Sequence, residues 1–418
     1  MRIAPLALCA FFALQLALTA CSGGGDRSGA VPATAVLRQT QQIVPPSCNN
    51  NVIAPAKFDG LTTYLKSLVA PSGTEKGFGF IVVRKQAPPP GSKGPAGEVQ
   101  VIYENAFGTF NTCTNDPIAS ASKMPSVLAI LTLVRKHLLD LDAPISRYVP
   151  ALFPSGTSIT MRMLLSHRSG INNCGVNVCR SGESLGDITG APCRQDYYMT
   201  MQMCAQEIAG LTPSFAPGTQ FDYGGDDYQV AGYIAEVLSG KTWTQFFQDA
   251  VGTPCGLTST TYGDPSYPTE SNPWIAGSIY STIEDYAKIL SVSLSGGKCN
   301  DTQLVDQGLI EQMQADYDQG LPVFYSAYPA HDYGLSWWHV DPATGGDKPT
   351  VVQDWGLWGA TPWLDNACHT GAFLFLYDTG LGANKSLTIM NNVINNALIS
   401  GPLGCPKQSA SGTAASGL

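Results

Sequence analysis

An α+β fold is predicted for this chain: a mainly antiparallel sheet built from both chain ends, with a helical lobe inserted between them. Three observations carry that prediction. Strand-rich runs stand early, at 77–83 and 97–103. Helical spacing fills the middle. Strand-like runs return late, at 334–339, 372–377 and 386–390. Strands from both ends around a helical insertion suit a layered α/β sandwich plus a helical lobe. In order, residues 58–69 show apolar spacing of three and four, which predicts a helix. The runs at 77–83 and 97–103 are joined by a loop containing Pro88-Pro89-Pro90-Gly91, a hairpin-like pair. A helix is expected from Ser120 into the apolar run 124–139, and a short one over 158–165. Residues 172–204 hold four cysteines and no periodicity, which predicts a stapled insertion. Amphipathic helices follow at 228–238, 243–250 and 282–290.

The chain has 418 residues, 44% apolar and 13% charged, with a formal net charge of −9. Scattered Lys and Arg at that balance argue against a nucleic-acid partner. The start reads Met1-Arg2, an apolar run, then Leu18-Thr19-Ala20-Cys21, which predicts a lipoprotein signal over 1–20 with lipidation on Cys21. A flexible tether over 21–50 follows, opened by Ser22-Gly23-Gly24-Gly25. The apolar segment is too short for a permanent span, so any membrane contact is expected through the lipid. One large domain is predicted over 51–406, with a sheet lobe from about 51–112 and 330–404 and a helical lobe at about 113–329. The Ser/Gly/Ala-rich tail 407–418 reads as disordered. Beyond Cys9 and Cys21, ten cysteines remain; an even number in an exported protein points to disulfides of undetermined pairing. Without Cys-x-x-Cys or His-Glu-x-x-His, and with scattered histidines, no metal site is expected.

The sharpest chemical signal is Ser120-Ala121-Ser122-Lys123 at the mouth of the long apolar run. A serine hydroxyl needs a neighbouring base before it attacks a carbonyl. On a helix, Lys123 stacks on the same face as Ser120. Its amine serves as base only where its surroundings favour the neutral form. A second match, Ser295-Gly296-Gly297-Lys298, carries two helix-breaking glycines and reads as a turn. A rival nucleophile motif, Gly182-Glu183-Ser184-Leu185-Gly186, lacks the strand before it and the helix after it that a nucleophile elbow needs. It therefore reads as a chance match.

Ser120-Ala-Ser-Lys123, Leu164-Leu165-Ser166-His167-Arg168-Ser169-Gly170 and Pro217-Gly218-Thr219-Gln220-Phe221-Asp222-Tyr223 occur in that order. Gly232-Tyr233-Ile234-Ala235-Glu236, Ala276-Gly277-Ser278-Ile279-Tyr280-Ser281-Thr282, Tyr333-Gly334-Leu335-Ser336-Trp337-Trp338 and His369-Thr370-Gly371 follow. Together they resemble the serine hydrolases comprising class C β-lactamases, DD-peptidases and family VIII carboxylesterases, over about 58–392. The resemblance implies the β-lactamase/DD-peptidase fold and an acyl-enzyme mechanism without a cofactor. It implies Ser120 as nucleophile, with Lys123 and Tyr223 sharing the proton transfers. The backbone N–H groups of Ser120 and Ala372 would form the oxyanion hole, and His369, Thr370 and Gly371 would line the opposite wall. His167 would be structural. The tryptophans Trp355, Trp358 and Trp363, interleaved with Gly356, Gly359 and Pro362, suit an aromatic-rimmed loop.

One departure bears on the substrate. The family tyrosine usually opens Tyr-x-Asn, whereas here the run is Tyr223-Gly224-Gly225. Gly225 brings no amide to the substrate-binding position. A small-molecule ester is therefore the expected substrate, since it asks for less amide recognition and has the better leaving group. A β-lactam or D-amino-acid peptide is the alternative, and a catalytically weak lipid-anchored binding protein the second. Export to the cell envelope or periplasm is expected from the N-terminal segment.

Overall fold

The computed structural model describes residues 50–69, 71, 73–87, 97–171, 191–196, 198–265, 271–318, 320–328, 332–340, 351–379 and 382–393. The expected signal, Cys21, the tether up to residue 49, Ser184 and the tail lie outside these residues, as do Cys48, Cys174, Cys179 and Cys405.

Twelve elements organise the site: α1 (Asp59–Leu68), β1 (Gly77–Lys85), β2 (Val99–Gly108), α2 (Lys123–Arg135), α3 (Met201–Ala209), α4 (Asp226–Ser239), α5 (Ile283–Leu294), β3 (Trp338–His339), β4 (Val351–Gln353), β5 (Ala360–Asp365), β6 (Thr370–Leu376) and α6 (Gly382–Asn392). The six strands form one antiparallel sheet in the order β3-β4-β5-β6-β1-β2. The early hairpin is thus stitched to the late strands through β1 against β6, with Phe78 opposite Leu376 and Arg84 opposite Thr370.

Alternation along β1 and β6 divides the core in two. Phe78, Phe80, Val82, Leu374 and Leu376 pack with Phe58, Leu61 and Leu65 of the N-terminal helical segment and Ile389 and Met390 of α6. Ile81, Val83, Phe373 and Phe375 face the other way, toward α2, α5 and the helical lobe. Tyr286 of α5 stacks flat on Phe373 at 4.1 Å between ring centroids. Helix α2 is buried from Lys123 to Leu133, so it is an axle of the helical lobe rather than an amphipathic surface helix. Past its end, His137 adopts a left-handed φ of 56°, and the expected helix stops short of residue 139.

Two expectations about elements change. Residues 386–390, expected as a strand, lie inside α6, where Gly382, Ser386, Ile389 and Met390 form one buried face. That spacing of three and four is what a helix needs to lie on the sheet. Residues 360–365, expected as part of an aromatic-rimmed loop, form strand β5, with Pro362 opposite Phe373 and Trp363 opposite Ala372 inside the sheet. Conversely, Gly296 and Gly297 have φ values of 72° and 87° in the turn before a short hairpin, in keeping with the second Ser-x-x-Lys match as a turn.

Disulfides close Cys193–Cys204 and Cys255–Cys299, and Cys113 and Cys368 are disulfide-bonded as well. No helix among the described residues is long and apolar enough to cross a membrane.

Candidate active site

Ser120 sits in a 3-10 turn, Ala119–Ser122, that runs directly into α2. Ala119 has φ 47°, a left-handed conformation that a side-chain-bearing residue adopts only when its surroundings hold it there. Here they do. Ile118 N–H donates to Ile279 O at 2.9 Å, Ile279 N–H donates to Ser122 Oγ at 3.1 Å, and Tyr286 O–H donates to Ala121 O at 2.7 Å. The turn is pinned to the segment before α5 on both sides of Ser120.

Lys123 opens α2 and is fully buried. Its Nζ lies 2.9 Å from Ser120 Oγ, 2.9 Å from Tyr223 O–H and 3.3 Å from Ala276 O. One amine therefore bridges an alcohol three residues behind it and a phenol one hundred residues on. Tyr223 follows the two-residue strand Phe221–Asp222, and its side chain is 2% exposed against 6% for Ser120. Of the three residues, Ser120 is the most exposed and Lys123 the least. A nucleophile, a base and a second proton carrier in mutual hydrogen-bond reach are the parts that acyl transfer needs.

Aromatic rings back the phenol. His167 lies tilted against Tyr223 at 4.6 Å, Trp338 lies 5.3 Å from Tyr223, and Trp355 stacks on Trp338 at 5.5 Å. His167 is fully buried, and burial, with the Lys123 charge as a second cause, holds its imidazole well below the ordinary histidine range. It is a neutral wall, packed against Asp227 at 3.6 Å. Burial also raises the Asp222 carboxyl to about 8, with Asp226 contributing, so the residue next to Tyr223 keeps its proton at neutral pH.

The structure does not bring His369, Thr370, Gly371 and Ala372 to Ser120. Asp365 pairs with Thr370 and Ala360 with Phe375 across the β5–β6 hairpin. His369 is at the hairpin's turn and lines a cavity of about 250 Å³ with Lys85, Gln307, Gln314 and Asn366. The end of β5 that meets the serine turn is the opposite one. A Cβ on Gly356 would sit 2.1 Å from Ile118 O and 3.3 Å from the Ala119 side chain. Five residues of strand at ~3.4 Å each separate the two ends by about 17 Å. The wall facing Ser120 is thus the Trp355–Gly359 stretch leading into β5. The physical reason is register: a hairpin presents one end to the lobe interface, and a His-Thr-Gly triplet at its turn is carried to the other.

Gly225, expected at the substrate position, precedes α4 and packs against Arg194. Two site features escaped the sequence reading: the Ala276 carbonyl, whose segment had been noted without a role, and Arg194, hidden in the cysteine-rich stretch. Asp316, Asp332 and His339 place one potential ligand atom each within 4.8 Å of one another; such acidic groupings are common without an ion.

The Beta-lactamase family profile matches residues 98–388. PbpX of Bacillus subtilis (strain 168), a protein named for penicillin binding, is 28% identical over 242 residues, covering 53% of this chain and 56% of that protein. The lovastatin esterase of Penicillium rubens is 27% identical over 201 residues, covering 43% and 46%. The chain thus spans about half the length of these curated relatives. The crystal structure of a family VIII carboxylesterase superposes with a TM-score of 0.59 at 16% identity, covering 81% of this chain and 97% of that one. With a profile match across most of its length and the fold to go with it, the chain belongs to the Beta-lactamase family.

Proposed function

We propose that the chain is an exported carboxylesterase-type hydrolase of small esters that works through an acyl-enzyme on Ser120. The observation that carries the reading is the Lys123 Nζ standing 2.9 Å from both Ser120 Oγ and Tyr223 O–H in a buried site. In the first half-reaction the Ser120 hydroxyl proton passes to the Lys123–Tyr223 pair as Oγ bonds to the ester carbonyl carbon. The tetrahedral intermediate collapses, the C–O bond to the alcohol breaks, and the pair returns the proton to the leaving alkoxide. Water repeats the sequence on the acyl-enzyme and releases the acid.

Oxyanion stabilisation is assigned to the Ser120 N–H together with a backbone N–H from the stretch between Gly356 and Ala360. This replaces Ala372, because it is the 356 end of the strand that abuts Ile118 and Ala119. Such donors commonly contribute a few kcal/mol. Esters are favoured over β-lactams and peptides because Gly225 supplies no side-chain amide beside the reacting carbonyl. The esterase name of one relative agrees with that choice. Lipidation of Cys21 and location in the cell envelope are part of the same proposal, supported by the apolar N-terminal run.

A fluorophosphonate probe tests the nucleophile on purified protein. Wild type and Ser184→Ala should label, and Ser120→Ala should not; labelling that survives in Ser120→Ala removes Ser120 from the reaction. A panel of p-nitrophenyl esters, cephalosporins and D-alanyl peptides then ranks the substrate classes, and faster turnover of either amide class than of every ester would overturn the esterase reading.

A further inference from the structure

The site holds a second buried cation that the reaction scheme does not use. Arg194 is 4% exposed and sits on the segment between Ala191 and Asp196, which the Cys193–Cys204 disulfide ties to α3. Its Nε forms an ion pair with Asp226 Oδ1 at 2.7 Å, while the Asp226 carboxylate accepts the Ala191 N–H at 3.2 Å from each oxygen. The guanidinium lies 5.4 Å over the ring of Trp274, whose indole N–H donates to the Arg194 carbonyl. Asn272 anchors the same segment through its side-chain amide to Cys193 O at 2.9 Å. Position and orientation of this side chain are therefore over-determined.

Its place relative to the nucleophile follows from two chain segments. Lys123 Nζ touches Tyr223 on one segment and the carbonyl of Ala276 on the other. Arg194 packs on Gly225, two residues beyond Tyr223, and on Trp274, two residues before Ala276. The same pair of segments thus brackets the lysine at one rung and the arginine at the next. Gly277, beside Trp274, in turn approaches the Ala119 backbone. A Cβ at position 225 would lie 2.0 Å from Arg194 Nη1. The space that a side chain at 225 would fill is occupied by the guanidinium instead, and residues 194 and 225 cannot both fill it.

Resting on the reading of Ser120 as an acylated serine, we propose that Arg194 is a substrate-recognition residue, and that the acyl groups it selects carry a carboxylate, as in the mono-ester of a short dicarboxylic acid. A guanidinium presents a planar fork matched to a carboxylate. Charge-assisted pairs of this kind are about twice as strong as neutral hydrogen bonds. The ester carbonyl meets Ser120 while the distal carboxylate reaches the next rung.

The test compares p-nitrophenyl hemiglutarate with p-nitrophenyl butyrate, using fluorophosphonate-titrated enzyme so that only folded, reactive sites are counted. Wild type should favour the anionic ester in kcat/KM by at least roughly tenfold, and the double variant Arg194→Gln/Asp226→Asn should cut that preference by roughly 10–100-fold, mainly through KM. Removing both charges avoids stranding a buried carboxylate. Gly225→Ala retains every charge but displaces Nη1, and should lower the same ratio. Arg194→Lys should fall between. A wild type without preference for the anion, or variants that slow both esters in proportion, overturns the proposal. Hydrolysis of both esters at wild-type rates by the same protein concentration of Ser120→Ala would instead locate the fault in the nucleophile.

Discussion

Replacing Lys123 by methionine isolates the amine. Methionine has similar length, so helix α2 keeps a filled position while Ser120 Oγ, Tyr223 O–H and Ala276 O lose the donor that stands 2.9, 2.9 and 3.3 Å from them. For stability the terms oppose. Three contacts disappear, at about 1 kcal/mol net each. Against this, a fully buried amine no longer has to be desolvated, which offsets a comparable amount. The melting temperature should therefore move by only a few degrees. Catalysis has no such compensation: a positioned acid–base group contributes about 10²–10⁴-fold, or ~2.7–5.4 kcal/mol of barrier at 1.36 kcal/mol per decade. Steady-state hydrolysis of p-nitrophenyl butyrate, with circular dichroism on the same sample, reads both quantities. A folded Lys123→Met enzyme within tenfold of wild-type kcat/KM would show that the amine is not the base.

Three further outcomes follow from the geometry. Gly356→Ala pushes a Cβ against Ile118 O and should shift the serine turn, lowering kcat about tenfold or more; His369→Ala, at the far end of the hairpin, should stay within about threefold. Reversed sensitivities in the ester assay would return the His369 triplet to the site. Asp222 has its folded-state carboxyl raised from 3.8 to about 8, so the folded protein binds the extra proton and this group's penalty grows as pH climbs from about 4 to about 8. The stability gain of Asp222→Asn over wild type should rise across that window and level off above it, and a denaturation series showing a flat difference contradicts the assignment. Cys255–Cys299 spans 44 residues, worth about 4 kcal/mol of chain entropy in the loop-closure treatment; the paired Cys255→Ala/Cys299→Ala variant should lose several degrees of melting temperature, and no loss would mean the reduced chain is already constrained there.

The sequence by itself was enough for what is local or periodic. Ser120 and Lys123 are three residues apart, and any helix-like turn places them face to face, so their contact was legible before any fold was known. The alternation in 77–83 and 97–103 and the apolar spacing on either side of Tyr223 likewise announced a sheet from both ends and a helical middle. Only the tertiary structure could decide what depends on register and on distant approach. The phenol reaches the amine because the segment after the strand Phe221–Asp222 brings Tyr223 to the start of a helix one hundred residues earlier. The His369 triplet misses the serine because a hairpin has two ends and side-chain types do not say which one meets the other lobe. Arg194 enters because Gly225 leaves a void in three dimensions, and a missing Cβ in a sequence does not say whose side chain will fill it.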